Sequence, residues 1–189
     1  ELGDLKAALP YSLTDAQTRV VREILRDQKS LFPMNRLVQG DVGSGKTVVA
    51  LIAIFNVVKC GYQATFMVPT EILANQHYQE AKKLLEPFGI HIELLTGSTS
   101  AKEKRRIKEL ITTDMPMVVI GTHALIQEDV DFKNLGLVVT DEQHRFGVEQ
   151  RNRLINKGRR PDVLVMTATP IPRTLALYVY SDLDISVID

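Results

Sequence analysis

Two hydrophobic patterns alternate along this chain. Short, nearly unbroken runs of Val, Ile, Leu and Met give way to longer stretches in which apolar residues return every three or four positions. RLVQG (36–40), QATFMVP (63–69), IHIELLT (90–96), MPMVVIGT (115–122), LGLVVTD (135–141), DVLVMTAT (162–169) and DISVI (184–188) have strand length. Their apolar positions are continuous rather than alternating, as strands buried on both faces require. Between them lie helix-length segments. KTVVALIAIFNVVKCG is apolar almost all round, the pattern of a helix enclosed between layers. TEILANQHYQEAKKLLEPFG has Thr70 as N-cap and Pro87–Gly89 as its stop. STSAKEKRRIKELI, EQHRFGVEQRNRLINKG and PIPRTLALYVY follow later strands, and SLTDAQTRVVREILRDQKS reads as a capped helix packed on the core. A strand–helix unit repeated about six times predicts an α/β fold: one domain with a mostly parallel central sheet and helices on both faces.

In an open parallel sheet, functional loops sit at the carboxyl ends of the strands. The chemically distinctive residues fall there: GDVGSGKT, PTE, TGS, GTH, DEQH and TATP, each at a strand end. GDVGSGKT (40–47) satisfies G-x-x-x-x-G-K-[ST] between a strand and a helix. Gly40, Gly43 and Gly45 let the backbone through Asp41, Val42 and Ser44 curl so that N–H groups point inward at phosphate oxygens. The helix start adds a positive dipole end, Lys46 can neutralise the terminal phosphates, and the Thr47 hydroxyl can ligate Mg²⁺. ATP and Mg²⁺ are therefore the expected cofactors.

A P-loop site needs an acid from a second strand end, and Asp141 holds that position as the metal-side carboxylate. Glu142, one residue on, can orient or deprotonate the water that attacks the γ-phosphate, which favours hydrolysis over transfer to a small molecule. Catalysis is thus assigned to Lys46, Asp141 and Glu142. Gln143, His144 and Arg145 exceed what ATP binding demands. A hydrogen bond from His144 to Thr167 or Thr169 would connect the nucleotide site to a second surface, whereas a His beside a carboxylate is also a common structural pair.

Composition narrows the picture only a little. The 189 residues are 44% hydrophobic, and Lys plus Arg equals Asp plus Glu at 23 each, so charge distribution rather than net charge must speak for a polyanionic partner. Cys60 is the single cysteine, which excludes an internal disulfide, fits a reducing compartment and reads as a small buried hydrophobe late in a helix. No apolar run approaches a membrane span and no signal-peptide pattern is present, so a cytoplasmic location is expected. The four histidines lack metal-ligand spacing, which disfavours zinc. The chain opens without Met and stops at SVID, and the expectation is one domain, residues 1–189, cut from a larger protein.

Taken in order, GDVGSGKT, PTEILANQH, TGS, GTHALIQ, DEQHRFG and TATPIPRT resemble the first RecA-like motor domain of the superfamily 2 helicases. The likeness runs from about Leu9 to the end. Within the superfamily it is greatest to translocases that remodel branched DNA, such as stalled forks and Holliday junctions. The transcription-repair coupling translocases are the alternative, but they carry Glu where this chain has Gln143. The resemblance implies that Gln17, in YSLTDAQ, reads the adenine ring. It implies a DNA track along Pro69, Thr70, Glu71, Thr96, Gly97, Gly121, Thr122 and His123, mainly to backbone phosphates. Gln143, His144, Arg145, Thr167 and Thr169 are implied to couple nucleotide state to DNA. It further implies a DNA-junction-binding domain before this one and a second RecA-like domain after it. That second domain would supply the arginines that complete ATP hydrolysis, with Arg173 left in the coupling motif. The expected partners are branched or duplex DNA and that second domain, and the parent is expected to be a monomer away from any membrane.

Lys102, Lys104, Arg105, Arg106 and Lys108 crowd one short helix, and RNRLINKGRR carries five more cations. DNA contact and a solvated helix face account for them equally well. Other P-loop enzymes, such as kinases, would leave PTE and TAT without a purpose. A nucleotide-gated DNA-binding module without turnover would leave Glu142 without one.

Overall fold

The structure is a computed structural model that describes residues 2–9, 11–40, 45–127, 129–141, 161–168 and 184–188. Its seven strands are β1 (Asn35–Gly40), β2 (Gln63–Met67), β3 (His91–Leu95), β4 (Met117–Gly121), β5 (Leu135–Asp141), β6 (Asp162–Thr167) and β7 (Asp184–Ile188). They form one sheet in the order β3-β4-β2-β5-β6-β1-β7, and every pairing among the described strands is parallel. The expected strands are all present, mostly trimmed by a residue or two where Pro, Gly or Thr ends the ladder.

The described helices are α1 (Leu2–Ala8), α2 (Asp15–Lys29), α3 (Lys46–Lys59), α4 (Glu71–Leu85) and α5 (Ala101–Ile111). The α2 start is fixed by a capping box: Thr14 Oγ1 accepts from Gln17 N at 3.1 Å, while Thr14 N donates to Gln17 Oε1 at 2.9 Å. Thr70 caps α4 as its sequence predicts, accepting from Leu73 N at 3.2 Å. That helix ends at Leu85, where Pro87 enters a short 3₁₀ turn closed by Gly89 at φ +80°. Helix α1 falls outside the sequence-predicted elements.

Side chains alternate between the two faces of the sheet. Val38, Phe66, Ile120, Val139, Leu164 and Met166 join α1–α4 in the larger core, whereas Met67, Leu95, Val119 and Val138 pack with Ile107 and Ile111 of α5 on the other face. Each fully buried Leu or Ile side chain stabilises by about 1.5–3 kcal/mol relative to exposure. Helix α3 is buried along nearly its whole circumference, as its apolar run predicts.

One expectation fails. Cys60 is exposed rather than buried, because α3 ends at Lys59 and Cys60 is its C-cap, just before Gly61 turns the chain at φ +96°. No helix among the described residues is long and apolar enough to cross a membrane. The segments predicted as helices at 142–158 and 170–180 lie outside the described residues.

Candidate functional site

Gly40 ends β1 and Lys46 begins α3, so the P-loop sequence bridges a strand and a 14-residue helix. Gly45 is the N-cap, at φ +84°. The left-handed backbone demands glycine, and a Cβ there, 1.8 Å from Gln17 Nε2, would also displace the Gln17 amide. Lys46 Nζ donates to the Gly40 carbonyl at 2.6 Å, which lays the ammonium back over the strand end.

Asp141 ends β5, one strand beyond β6 from β1, and is only 9% exposed. Burial pushes its carboxyl above the ordinary aspartate range, and the nearby Lys46 ammonium pulls it the other way. A groove of about 660 Å³ opens over these groups, lined by Gly45, Lys46, Thr47 and Asp141 together with Leu9, Tyr11, Leu51, Leu73, His77 and Met166. That volume lies within the roughly 300–1,000 Å³ common for small-molecule sites, as does the mixture of apolar wall and a few charged groups.

The donor set fits Mg²⁺. Asp141 is a buried carboxylate that the Lys46 ammonium compensates among the described residues, and Thr47 adds a hydroxyl oxygen at the same groove. Among the described residues no group of three His, Cys, Asp or Glu could hold a metal alone. Mg²⁺ characteristically takes one or two carboxylates and completes its shell with phosphate oxygens and water.

Gln17 sits within this frame as a buried residue rather than on an open helix surface. Its Oε1 closes the α2 capping box, and its Nε2 reaches the Gly45 carbonyl at 3.5 Å. The family resemblance alone implies Gln17 at the site, and it does not reveal that the side chain joins the α2 start to the end of the P-loop. His77, within the quoted PTEILANQH, had no assigned role. Its ring stacks on Phe66 with centroids 4.9 Å apart, it lines the groove, and burial lowers its pKa.

Thr167 is buried at the end of β6. Asp41, Val42, Gly43, Ser44, Glu142, Gln143, His144, Arg145, Thr169 and Arg173 lie outside the described residues, as does the cluster RNRLINKGRR.

The expected DNA track occupies the same edge of the sheet, beyond β2. Pro69 is half-buried and Thr70, Glu71, Gly97 and His123 are exposed, whereas Thr96, Gly121 and Thr122 are buried. Glu71 is committed within the protein. It accepts from Ser98 N at 3.0 Å through Oε1 and from Ser98 Oγ at 2.7 Å through Oε2. Thr96 Oγ1 also accepts from Ser98 N, at 3.2 Å. The Thr122 hydroxyl is buried with no hydrogen-bond partner among the described residues. Gly121 is pressed so closely on β3 that a Cβ would lie 2.0 Å from the Leu95 carbonyl oxygen.

The cations of α5 separate into two groups. Arg106 is bidentate on Glu93, at 2.8 and 2.7 Å, and also bonds Glu103. Burial raises the Glu93 carboxyl, but Arg106 and His91 outweigh it and hold the carboxyl below the usual range. Lys108 pairs with Asp129, and Lys104 Nζ donates to the Gly97 carbonyl at 3.2 Å. Lys102 and Arg105 are exposed, and among the described residues they have no ion-pair or hydrogen-bond partner.

Comparison with known proteins matches residues 14–177 to the DEAD/DEAH box helicase family. The ATP-dependent DNA helicase RecG of Thermotoga maritima is 59% identical over 182 residues, which cover 96% of this chain and 23% of that protein. RecG of Bacillus subtilis is 56% identical over 189 residues, covering all of this chain and 28% of that protein. The chain thus spans about a quarter of the length of the curated relatives it matches. A solved structure of RecG bound to a three-way DNA junction superposes with a TM-score of 0.87 at 53% identity, covering 99% of this chain and 25% of that one. The UvsW helicase of bacteriophage T4 superposes with a TM-score of 0.72 at 16% identity over 98% of this chain and 66% of that one, a likeness of fold.

Proposed function

We propose, from the premise that this chain belongs to the DEAD/DEAH box helicase family, that it is the ATP-binding motor domain of a DNA translocase that remodels branched DNA. The observation that carries the proposal is the juxtaposition at one sheet edge of a strand–glycine–helix phosphate cradle with a buried, under-compensated Asp141. The RecG relatives, one solved on a three-way DNA junction, supply the substrate class.

In this reading the P-loop amides from Gly40 to Gly45 and the α3 N-terminus hold the phosphates. Lys46 leaves the Gly40 carbonyl to bridge the terminal phosphates. Thr47 and Asp141 hold Mg²⁺, which when bound supplies positive charge against the transferring phosphoryl group. Glu142 takes a proton from, or orients, the attacking water. Gln17 aligns the cradle with the adenine end of the groove. Gln143, His144, Arg145, Thr167 and Thr169 pass the nucleotide state to the DNA-facing loops.

Residues 1–189 form a single motor domain in this account. The parent protein is a cytoplasmic monomer with a DNA-junction-binding domain and a second RecA-like domain that completes the site with arginines. An arginine supplied in this way contributes about 10³–10⁵ in rate, so the 189-residue chain alone should turn over ATP slowly or not at all. The test uses the parent protein with a synthetic three-way junction. Lys46→Ala is expected to abolish DNA-stimulated turnover, and Glu142→Gln to retain bound ATP without hydrolysing it. Ordinary turnover in the Glu142→Gln protein would remove Glu142 from its role.

A further inference from the structure

Glu71 stands where a negative charge should repel DNA. It is exposed, follows Thr70 on the strand edge assigned to the track, and neighbours the loop Thr96–Gly97–Ser98. Both of its carboxylate oxygens nevertheless have donors, and both donors belong to Ser98, 27 residues away. The approach is close enough that a Cβ on Gly97 would lie 3.3 Å from Glu71 Oε1.

Further bonds tighten the same loop. Thr96 N donates to Thr99 Oγ1 at 2.9 Å, Ser100 Oγ caps α5 by accepting from Glu103 N at 3.2 Å, and Lys104 Nζ holds the Gly97 carbonyl. The loop after β2 and the loop after β3 are therefore tied together, although β4 lies between their strands. One turn along α5 stand Lys102 and Arg105, the exposed cations without partners among the described residues.

We infer that Glu71 is a positioning residue rather than a DNA contact: its carboxylate brackets the loop after β3 to the start of α4, so that Lys102 and Arg105 meet the phosphate backbone as one preformed surface. Two hydrogen bonds to a carboxylate exceed what neutral partners would give and fix both position and orientation. A preformed surface binds without first ordering a loop, which is where affinity is gained. The inference rests on the reading of this edge as the DNA track.

Fluorescence anisotropy of the 189-residue chain with labelled duplex DNA at low salt, across a salt series, tests it. Glu71→Ala should weaken binding about tenfold, as loss of bonds to a charged group would. Ser98→Ala should weaken it less, and the double variant should be no worse than Glu71→Ala alone. Glu71→Gln should bind at least as well as the wild-type chain, since its amide can accept from Ser98 N and donate to Ser98 Oγ while the repelling charge is gone. In hydrogen exchange without DNA, the Ser98 amide, left with Thr96 Oγ1 alone, should lose part of its protection in Glu71→Ala and keep it in Glu71→Gln.

Lys102→Ala with Arg105→Ala separates the two layers of the argument, because loss of two phosphate contacts should reduce the salt slope by roughly two. If that slope falls while Glu71→Ala binds normally, or while Glu71→Gln loses as much as Glu71→Ala, the bracket is wrong and the track stands. If the wild-type chain does not bind, or the slope is unchanged, the track reading fails and the bracket with it.

Discussion

Asp141 and Asp162 lie on adjacent strands at opposite ends of one parallel sheet, and burial raises the carboxyl of each. At the carboxyl edge, Asp141 faces Lys46 across an open groove. At the amino edge, Asp162 accepts the Met34 backbone N–H at 2.6 Å and feels the like charge of Asp27. The wider surroundings repeat the contrast. Near the amino end, Arg36 is saturated by Asp27 at 2.7 Å, Glu23 at 3.2 Å and Ser186 at 2.8 Å, a network joining α2, β1 and β7. Near the carboxyl edge, Thr122 keeps a buried hydroxyl and α5 displays two cations that have no partner among the described residues. Among the described residues the Arg36 network closes on itself, whereas the carboxyl edge combines bonded groups, Glu71, Ser98 and Lys104, with the unpartnered cations Lys102 and Arg105. That difference, more than the amount of charge, marks the functional edge.

Breaking the saturated end should have the largest effect on stability. Arg36→Ala leaves Asp27 without its guanidinium and, among the described residues, Glu23 with only Ser186 and Arg19 beside a gap, and should cost about 3 kcal/mol in denaturant unfolding. Gly45→Ala attacks the other end. It forces an L side chain to a left-handed φ and drives Gln17 from the capping box, with an expected loss of about 1–3 kcal/mol together with weakened nucleotide binding.

The two aspartates predict a pH dependence whose sign differs from ordinary acid denaturation. Burial first, then Asp27, raises Asp162 to about 6 from 3.8, against the opposing Met34 bond. A carboxyl whose folded pKa exceeds its unfolded one takes up a proton on folding, so its contribution to stability rises as pH falls through 6 toward 4. Asp162→Asn keeps the acceptor for Met34 N and should raise the melting temperature at pH 8 while flattening that rise. Asp141 contributes in the same direction, and saturating Mg²⁺ and nucleotide should remove its share alone. The smallest effect belongs to Thr122→Val. Removing a hydroxyl that has no partner among the described residues should stabilise the fold by up to about 1 kcal/mol. A destabilised Thr122→Val chain would mean that the hydroxyl is already satisfied and would blur the contrast between the edges.

Much of this was legible because parallel strands buried on both faces leave an unambiguous apolar signature, and the residues breaking it gather at strand ends. The order of motifs is enough to place Gly45, Lys46, Thr47 and Asp141 at one edge. Long-range pairing was not legible. Nothing local tells that Glu71 will accept from Ser98 or that Gln17 will reach Gly45, because both contacts arise from which strands become neighbours. The five cations of α5 look equivalent in sequence, but Glu93 on β3 takes Arg106 while Lys102 and Arg105 have no partner among the described residues. Cys60 was misjudged because apolar periodicity does not mark the last turn of a helix that ends at Gly61.

Titration calorimetry of Mg·ATP into the 189-residue chain and its Lys46→Ala variant tests the central claim most directly. Saturable binding that requires Mg²⁺ and is lost in Lys46→Ala is the predicted result. No binding by the wild-type chain, or equal binding by both, would contradict the assignment of this sheet edge to a nucleotide.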